Sequence, residues 1–169
     1  SEKSTPERSR SERLWGHPGL RPASQADALP ATPLLAYRWA DTDRALNDQL
    51  ALEAEGVEGA TLSAGHAAVR FTNPTSGGDV LPTIRTEMHR IRGGARTKVW
   101  REVGSSVFQV FDGRGTVSVG ERSWTVERGD MFVVPSWVPF SAQAPNDSNP
   151  LDLFRFGDAP IFEALHQRR

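Results

Sequence analysis

Residues 93–115, "GGARTKVWREVGSSVFQVFDGRG", carry five positions at a characteristic spacing: Gly94, Trp100, Glu102, Ser106 and Gly113. Five residues separate Gly94 from Trp100, one separates Trp100 from Glu102, three separate Glu102 from Ser106, and six separate Ser106 from Gly113. The same spacing occurs in metal-binding strand pairs, which have His, His and Glu where this chain has Trp, Glu and Ser. The stretch therefore has the spacing of a metal site without its ligands.

A second block, "GDMFVVPSWVPFSAQA" at residues 129–144, follows the first at the distance expected of a partner motif. Gly129 precedes Pro135 by six positions, and Phe140 stands five positions after that proline, where the partner motif has histidine. Two motifs in this order and spacing are typical of cupins, which are double-stranded β-barrels. Phe140 and the first block thus define one candidate site.

The residue types at these positions do not favour metal binding. A ferrous or zinc site needs imidazole nitrogens or carboxylate oxygens that converge on one point. Trp100 and Phe140 offer no usable lone pair, Ser106 is a poor ligand, and Glu102 alone cannot hold a metal. We therefore predict no metal, no catalytic residue and no cofactor in this chain.

Strand alternation predicts which side chains share the interior. If Trp100 and Glu102 point inward, then Ser106, Phe108 and Val110 lie on the same face. We expect the barrel to be filled, or any pocket to be lined, by Trp100, Glu102, Phe108 and Phe140. The opposite face is also largely apolar, with Val107, Gln109 and Phe111, which indicates that the outside of the barrel packs on another sheet or subunit.

Short strands separated by turn residues dominate the chain after Gly65. We predict strands at 66–72, 81–91, 98–103, 106–112, 115–119, 122–127, 131–134, 138–143 and 151–156. The predicted fold is all-β: a double-stranded β-helix, or jelly-roll-like antiparallel barrel, with one or two short peripheral helices.

Residues 41–55 carry the strongest helix pattern, with Asp41 or Asp43 as the cap and Gly56 at the end. We divide the chain into a disordered or extended linker at 1–36, a peripheral helix and connection at 37–65, a barrel at 66–157 and a short helix at 158–169. Asp158 is the predicted cap of the last helix.

Composition excludes several classes of function. The net charge of −1 provides no basic surface for nucleic acid or an anionic membrane. No apolar stretch is long enough to span a bilayer. The chain has no cysteine, which rules out disulfides and thiolate chemistry and favours a cytoplasmic setting.

Several other polar residues are weaker candidates for a site. Glu87 and His89 share a strand face and could begin a metal site, but a hydrogen-bonded pair is the simpler interpretation. His66 is expected to be structural, and His17 and His166 to be solvated. The arginines Arg85, Arg101 and Arg155 could bind a carboxylate in a pocket, although solvation is their default.

Longer stretches of the sequence resemble one enzyme family. These are "RSERLWGHPGLRP", "PLLAYRW", "HAAVRFTNPTSGGDVLPTIR", "REVGSSVFQVFDG", "GDMFVVPSWVPF" and "DLFRFGDAPIFEALH". They resemble the C-terminal half of gentisate 1,2-dioxygenases, relatives of salicylate and hydroxynaphthoate dioxygenases. The resemblance runs from about Arg10 to His166.

The resemblance implies a two-barrel parent enzyme, usually tetrameric, whose N-terminal cupin holds Fe(II) and opens gentisate to maleylpyruvate. This chain would then be the iron-free C-terminal barrel, with a structural and oligomerisation role, and its partners would be the N-terminal iron cupin domain and other subunits. No iron ligand of the family can be placed on this sequence, since it contains no His-x-His.

Two other interpretations stay open. One is a stand-alone metal-free cupin that binds a small ligand or a protein through an open cavity with a few polar groups, such as Glu102 and an arginine. The other is an enzyme with an unusual metal set around His89 and Glu102.

Overall fold

The strands form two antiparallel sheets. In the computed structural model, which describes residues 7–17, 20–25, 36–146 and 149–166, the larger sheet has the order β1-β2-β3-β9-β4-β7. The smaller sheet has the order β6-β5-β8. The strands are β1 Leu20–Pro22, β2 His66–Phe71, β3 Arg85–Ile91, β4 Ser106–Asp112, β5 Arg114–Val119, β6 Arg122–Glu127, β7 Met131–Val134, β8 Phe140–Gln143 and β9 Leu151–Gly157. This arrangement confirms the predicted all-β cupin fold.

The helices lie at the periphery of the barrel. They are α1 Arg10–Trp15, α2 Trp39–Ala54 and α3 Ala159–His166, and a short 3-10 turn covers Ala23–Gln25. None of the helices in the described ranges is long and apolar enough to cross a lipid bilayer.

The predicted strand at 98–103 is wrong. Only one isolated bridge forms there, in which Trp100 and Phe140 exchange backbone hydrogen bonds of 3.0 and 2.9 Å. The amide of Thr97 bonds to the carbonyl of Ala142 at 2.9 Å. Between these two hydrogen-bonded points, this segment advances by three residues, from Thr97 to Trp100. Strand β8 advances by only two residues over the same distance, from Phe140 to Ala142. The extra residue breaks the ladder, as in a β-bulge.

Strand β1 was not predicted, because its sequence is rich in proline and glycine. It pairs with β2 at the edge of the larger sheet, with Leu20 opposite Phe71 and Pro22 opposite Val69. An edge strand tolerates proline, since one of its sides makes no ladder hydrogen bonds.

Helix α2 packs its apolar side on the larger sheet. Leu46 and Leu52 are fully buried, and the Gln49 side chain makes two hydrogen bonds with the backbone of Ala68, at 2.9 and 3.0 Å. The helix begins two residues before the predicted start, and neither predicted aspartate is its cap, since the cap residue is Arg38. Asp43 pairs instead with the Arg90 guanidinium at 2.8 Å.

The N-terminal segment is more ordered than predicted where the structure describes it. Residues 10–15 form α1, so the prediction of a disordered or extended chain is wrong there, whereas residues 1–6, 18–19 and 26–35 lie outside the described part. Arg8 forms two hydrogen bonds with Asp48. His17, expected to be solvated, is buried and bonds to the same carboxylate at 2.9 Å. The Asp48 carboxylate of α2 thus holds the side chains of Arg8 and His17 in this segment.

Helix α3 is held against the barrel by its first residues. The Asp158 carboxylate accepts a hydrogen bond of 2.7 Å from the amide of Ser105, just before β4. Pro160 is buried at the first turn, where the missing amide hydrogen costs nothing.

Candidate functional site

Four aromatic rings fill the barrel around two of the positions that the sequence motifs define, Trp100 and Phe140. The Trp100 ring meets Phe140 edge-on with centroids 4.6 Å apart, and Phe140 stacks on Phe108 at 4.9 Å. Phe132 of β7 lies parallel to Phe108 at 5.1 Å. Phe108 and Phe140 are each 1% exposed. The structure therefore brings Trp100, Phe108 and Phe140 together as an aromatic cluster.

Very little space is left inside this cluster. The residual cavity measures about 10 Å³ and is lined by ten residues that include Trp100, Ser106, Phe108 and Phe140. A cavity needs about 10–15 Å³ to hold one water molecule. The interior at the motif positions is therefore too small for an organic ligand.

Arg155 completes the candidate site. It lies on β9 opposite Glu87 of β3 and Phe108 of β4, so its side chain enters the barrel between these strands. Its guanidinium donates to Ser106 Oγ at 2.9 Å, to Glu87 Oε1 at 3.0 Å, and to Glu102. It also lies 5.6 Å from the centre of the Phe108 ring. The expectation that Arg155 is solvated is wrong.

This donor set does not fit a divalent metal ion. Two of the four motif positions carry aromatic rings, and the other two, Glu102 and Ser106, accept hydrogen bonds from Arg155. The fixed positive charge of the guanidinium would repel a second cation at the same place. Within the described ranges, no group of three or more His, Cys, Asp or Glu side chains could hold a metal ion.

A chain of buried polar groups extends from Arg155 toward β2. His66 Nε2 lies 2.8 Å from His89 Nδ1, and His89 Nε2 lies 3.1 Å from Glu87 Oε1. Glu87 also accepts a hydrogen bond of 3.0 Å from Arg70. The pair of Glu87 and His89 is thus hydrogen-bonded, and the hypothetical metal set around His89 and Glu102 is not formed, since the two bond to different partners.

The network sets the charges of its members. Burial by itself raises the pKa of Glu87, but the hydrogen bond from His89 and the positive charges of Arg155 and Arg70 hold this pKa well below its ordinary value. Burial, and to a smaller extent the neighbouring His89, lowers the pKa of His66 to about 3. Glu87 is therefore ionised and His66 neutral at pH 7.

The neutral state of His66 predicts that acid destabilises the fold. In the unfolded chain the His66 imidazole takes up a proton below about pH 6.5, whereas in the folded chain it does so only near pH 3. The free energy of unfolding therefore falls as the pH is lowered from about 6.5 to about 3. Lowering the pH from 7 to 5 is expected to cost about 2 kcal/mol through this residue. Urea unfolding at both pH values, with wild type and His66→Gln, measures the difference.

The His66→Gln variant should lose most of that pH dependence. The matched control is His166→Gln, since His166 is exposed on α3 and should leave the dependence unchanged. Equal pH dependence in wild type and His66→Gln would show that His66 is protonated in the folded state.

An open cleft lies outside the aromatic cluster, between the start of β2, the middle of β3 and residues 98–102. Its volume is about 440 Å³, and Trp100, Glu102 and Arg155 separate it from the small interior cavity. His66 and His89 are on its wall. The Trp100 ring stacks on these two imidazoles with centroids 5.5 and 6.2 Å away.

The remaining candidate residues do not join this group. Arg85 binds Asp79 and Glu163, each at 2.8 Å, near α3. Arg101 is exposed at the rim of the cleft. The sequence offered Arg155 only as one of three arginines that could bind a carboxylate, and it did not single out the central position of this residue between Glu87, Glu102 and Ser106.

The chain is similar to known 1,2-dioxygenases over nearly all of its length. It is 55% identical over 165 residues to a gentisate 1,2-dioxygenase from Streptomyces sp, which covers 98% of this chain and 45% of that protein. It is 32% identical over 151 residues to a 5-aminosalicylate 1,2-dioxygenase from Comamonas sp, which covers 88% of this chain and 38% of that one. No family model matches.

Solved structures give the same result. The salicylate 1,2-dioxygenase from Pseudaminobacter salicylatoxidans is 57% identical, with a TM-score of 0.75 over 98% of this chain and 46% of that one. A structure of that enzyme with gentisate also has a TM-score of 0.75. The chain therefore spans less than half the length of these relatives, so it corresponds to one part of a longer protein of this kind.

Proposed function

Because the chain is homologous over 98% of its length to one half of a gentisate 1,2-dioxygenase, we propose that it is the iron-free C-terminal cupin half of such an enzyme. Its role is structural: it completes the two-barrel core and provides contacts between subunits. The parent activity in this proposal is Fe(II)-dependent ring cleavage of gentisate to maleylpyruvate, which the other barrel performs in the cytoplasm.

The observation that carries this proposal is the occupied interior. Aromatic rings stand at two of the four motif positions, Trp100 and Phe140, and the Arg155 guanidinium donates hydrogen bonds to the other two, Glu102 and Ser106. A buried guanidinium with several acceptors satisfies neighbouring carboxylates much as a metal ion would, but it has no open coordination position for dioxygen or substrate. The barrel is thus suited to stability rather than to redox chemistry.

The outer face of the larger sheet supports a role in assembly. Beyond α2, this face exposes a row of large apolar side chains on β4, β7 and β9: Phe111 is 39% exposed, Met131 59%, Val133 56% and Phe156 36%. Trp39 at the start of α2 extends the row, with its ring 4.4 Å from Phe111. Contiguous apolar surface of this kind marks protein interfaces. We propose that the other barrel or a second subunit covers it.

The assembly role predicts that charge on this face disrupts the parent enzyme. In the full-length protein, Phe111→Glu together with Phe156→Glu should reduce the subunit number and lower gentisate turnover by about tenfold or more, since buried unpaired carboxylates oppose association. Light scattering and a maleylpyruvate absorbance assay on the same samples measure both effects.

The matched control for this experiment carries the same charges elsewhere. Thr116→Glu with Ser123→Glu places two carboxylates on the smaller sheet; Thr116 and Ser123 are both exposed. This control variant should retain the subunit number and the rate of gentisate turnover. Unchanged assembly in the Phe111 and Phe156 variant would contradict the assembly role.

A further inference from the structure

The open cleft beside the aromatic cluster has the dimensions of a ligand site. Its volume of about 440 Å³ lies within the range of 300–1,000 Å³ that is usual for small-molecule pockets. Its floor is the hydrogen-bonded group of Glu87, His89 and Arg155, all of which are buried. A floor of this kind is rigid, since each of these side chains is held by a hydrogen bond to another member.

Charge at the rim of this cleft favours an anion. Lys98 and Arg101 are exposed there, and neither takes part in an ion pair with any residue in the described ranges. Further in, Arg70 and Arg155 add two guanidinium groups, which are already paired with carboxylates. The free positive charge is therefore at the mouth, where an incoming carboxylate would meet it.

Apolar groups line the walls. Leu62 is 41% exposed and Val99 63% exposed, and both line the cleft together with the half-buried Trp100. The Ser63 hydroxyl on the same wall is buried and has no hydrogen-bond partner among the described residues. This hydroxyl is not accessible from the cleft, so the wall offers a ligand the exposed apolar surface of Leu62 and Val99 rather than a hydrogen bond from Ser63.

From these features we propose that the cleft binds a small organic carboxylate with an apolar or aromatic body, about the size of benzoate, independently of any metal. The carboxylate lies near Lys98 and Arg101, and the body contacts Leu62, Val99 and Trp100. Inorganic phosphate fits the charge but not these apolar walls, so it binds less well. This site is separate from the assembly role and from the iron of the proposed partner barrel.

Benzoate titration of the purified chain in the presence of a metal chelator tests the proposal. We expect saturable binding by calorimetry in the millimolar range or tighter, with acetate and phosphate weaker by about tenfold, because neither has an apolar body. In ¹⁵N spectra, benzoate should shift the imidazole signals of His66, at the wall of the cleft, and leave those of the exposed His166 unchanged.

Two double variants locate the site. Lys98→Ala with Arg101→Ala should weaken benzoate binding about tenfold through loss of both rim charges. The control, Arg122→Ala with Arg128→Ala, removes two exposed cations elsewhere and should bind as the wild type does. The proposal is overturned if benzoate shows no saturable binding, if both double variants weaken it equally, or if phosphate binds as tightly as benzoate.

Because a chelator is present throughout, this result does not depend on whether the barrel is free of iron. Absence of benzoate binding would leave the structural role of the barrel in place. Tight iron binding, in contrast, would contradict the iron-free assignment of the barrel without changing the benzoate result.

Discussion

Replacing Arg155 with Met is expected to lower the free energy of unfolding by about 3–5 kcal/mol, which is the usual cost of removing one partner of a buried ion pair. The side chain of Arg155 is 8% exposed and that of its partner Glu87 only 4%. Methionine keeps much of the aliphatic length of arginine. Of the two arginines that pair with the Glu87 carboxylate among the described residues, the variant keeps only Arg70. Thermal unfolding should shift downward by roughly 10 °C.

The control for this variant is an arginine that pairs at the surface. Arg92 lies 3.3 Å from Glu53, and its side chain is 54% exposed, so Arg92→Met should cost at most about 1 kcal/mol. Adding Glu87→Gln to Arg155→Met should restore part of the lost stability, since the unpaired buried charge is then removed. A cost below about 1 kcal/mol for Arg155→Met would contradict the account of a buried cation that holds the barrel together.

Replacing Phe140 with Ala should cost about 3–5 kcal/mol, as large-to-small changes of buried phenylalanines do. Phe140 is 1% exposed, and its ring contacts Trp100, Phe108 and Phe132 with centroids 4.6 to 5.6 Å apart. Its removal joins a new void to the existing small cavity. Urea unfolding of the variant measures the loss.

The matched control is Phe156→Ala on the outer face of the same barrel. Phe156 is 36% exposed, so the isolated chain should lose only about 1–2 kcal/mol. If both variants cost the same, the ring of Phe140 does not occupy a tightly packed interior. Adding Fe(II) or Zn(II) should not restore the stability of Phe140→Ala, because the remaining groups do not form a metal site.

Local signals predicted most of the fold. The turn residues divided the chain into strands, the spacing of the two motifs placed Trp100 and Phe140 in one barrel, and strand alternation added Phe108 to its interior. Helix α2 followed from its apolar periodicity and from Gly56, which adopts a φ of 82° just after the helix ends. Each of these signals lies within a few residues of the element that it predicts.

The features that were missed depend on contacts between distant positions. Arg155 reaches Glu87 and Ser106 only because β9 lies between β3 and β4, and these partners are 68 and 49 residues away in sequence. His17 is buried because Asp48, 31 residues later, presents a carboxylate to it. Residue types and periodicity do not encode which distant elements become neighbours, so the partners of Arg155 and His17 could not be assigned from the sequence.

The measurement that tests the central claim most directly is iron content together with gentisate turnover on one purified sample of the 169-residue chain. The sample is loaded with Fe(II) without oxygen, separated from free metal, and assayed by maleylpyruvate absorbance. The structure of the interior predicts well under one equivalent of iron and no turnover, because two motif positions carry aromatic rings and the Arg155 guanidinium binds the other two, Glu102 and Ser106. One equivalent of bound iron with turnover would contradict the claim that this barrel is the iron-free half.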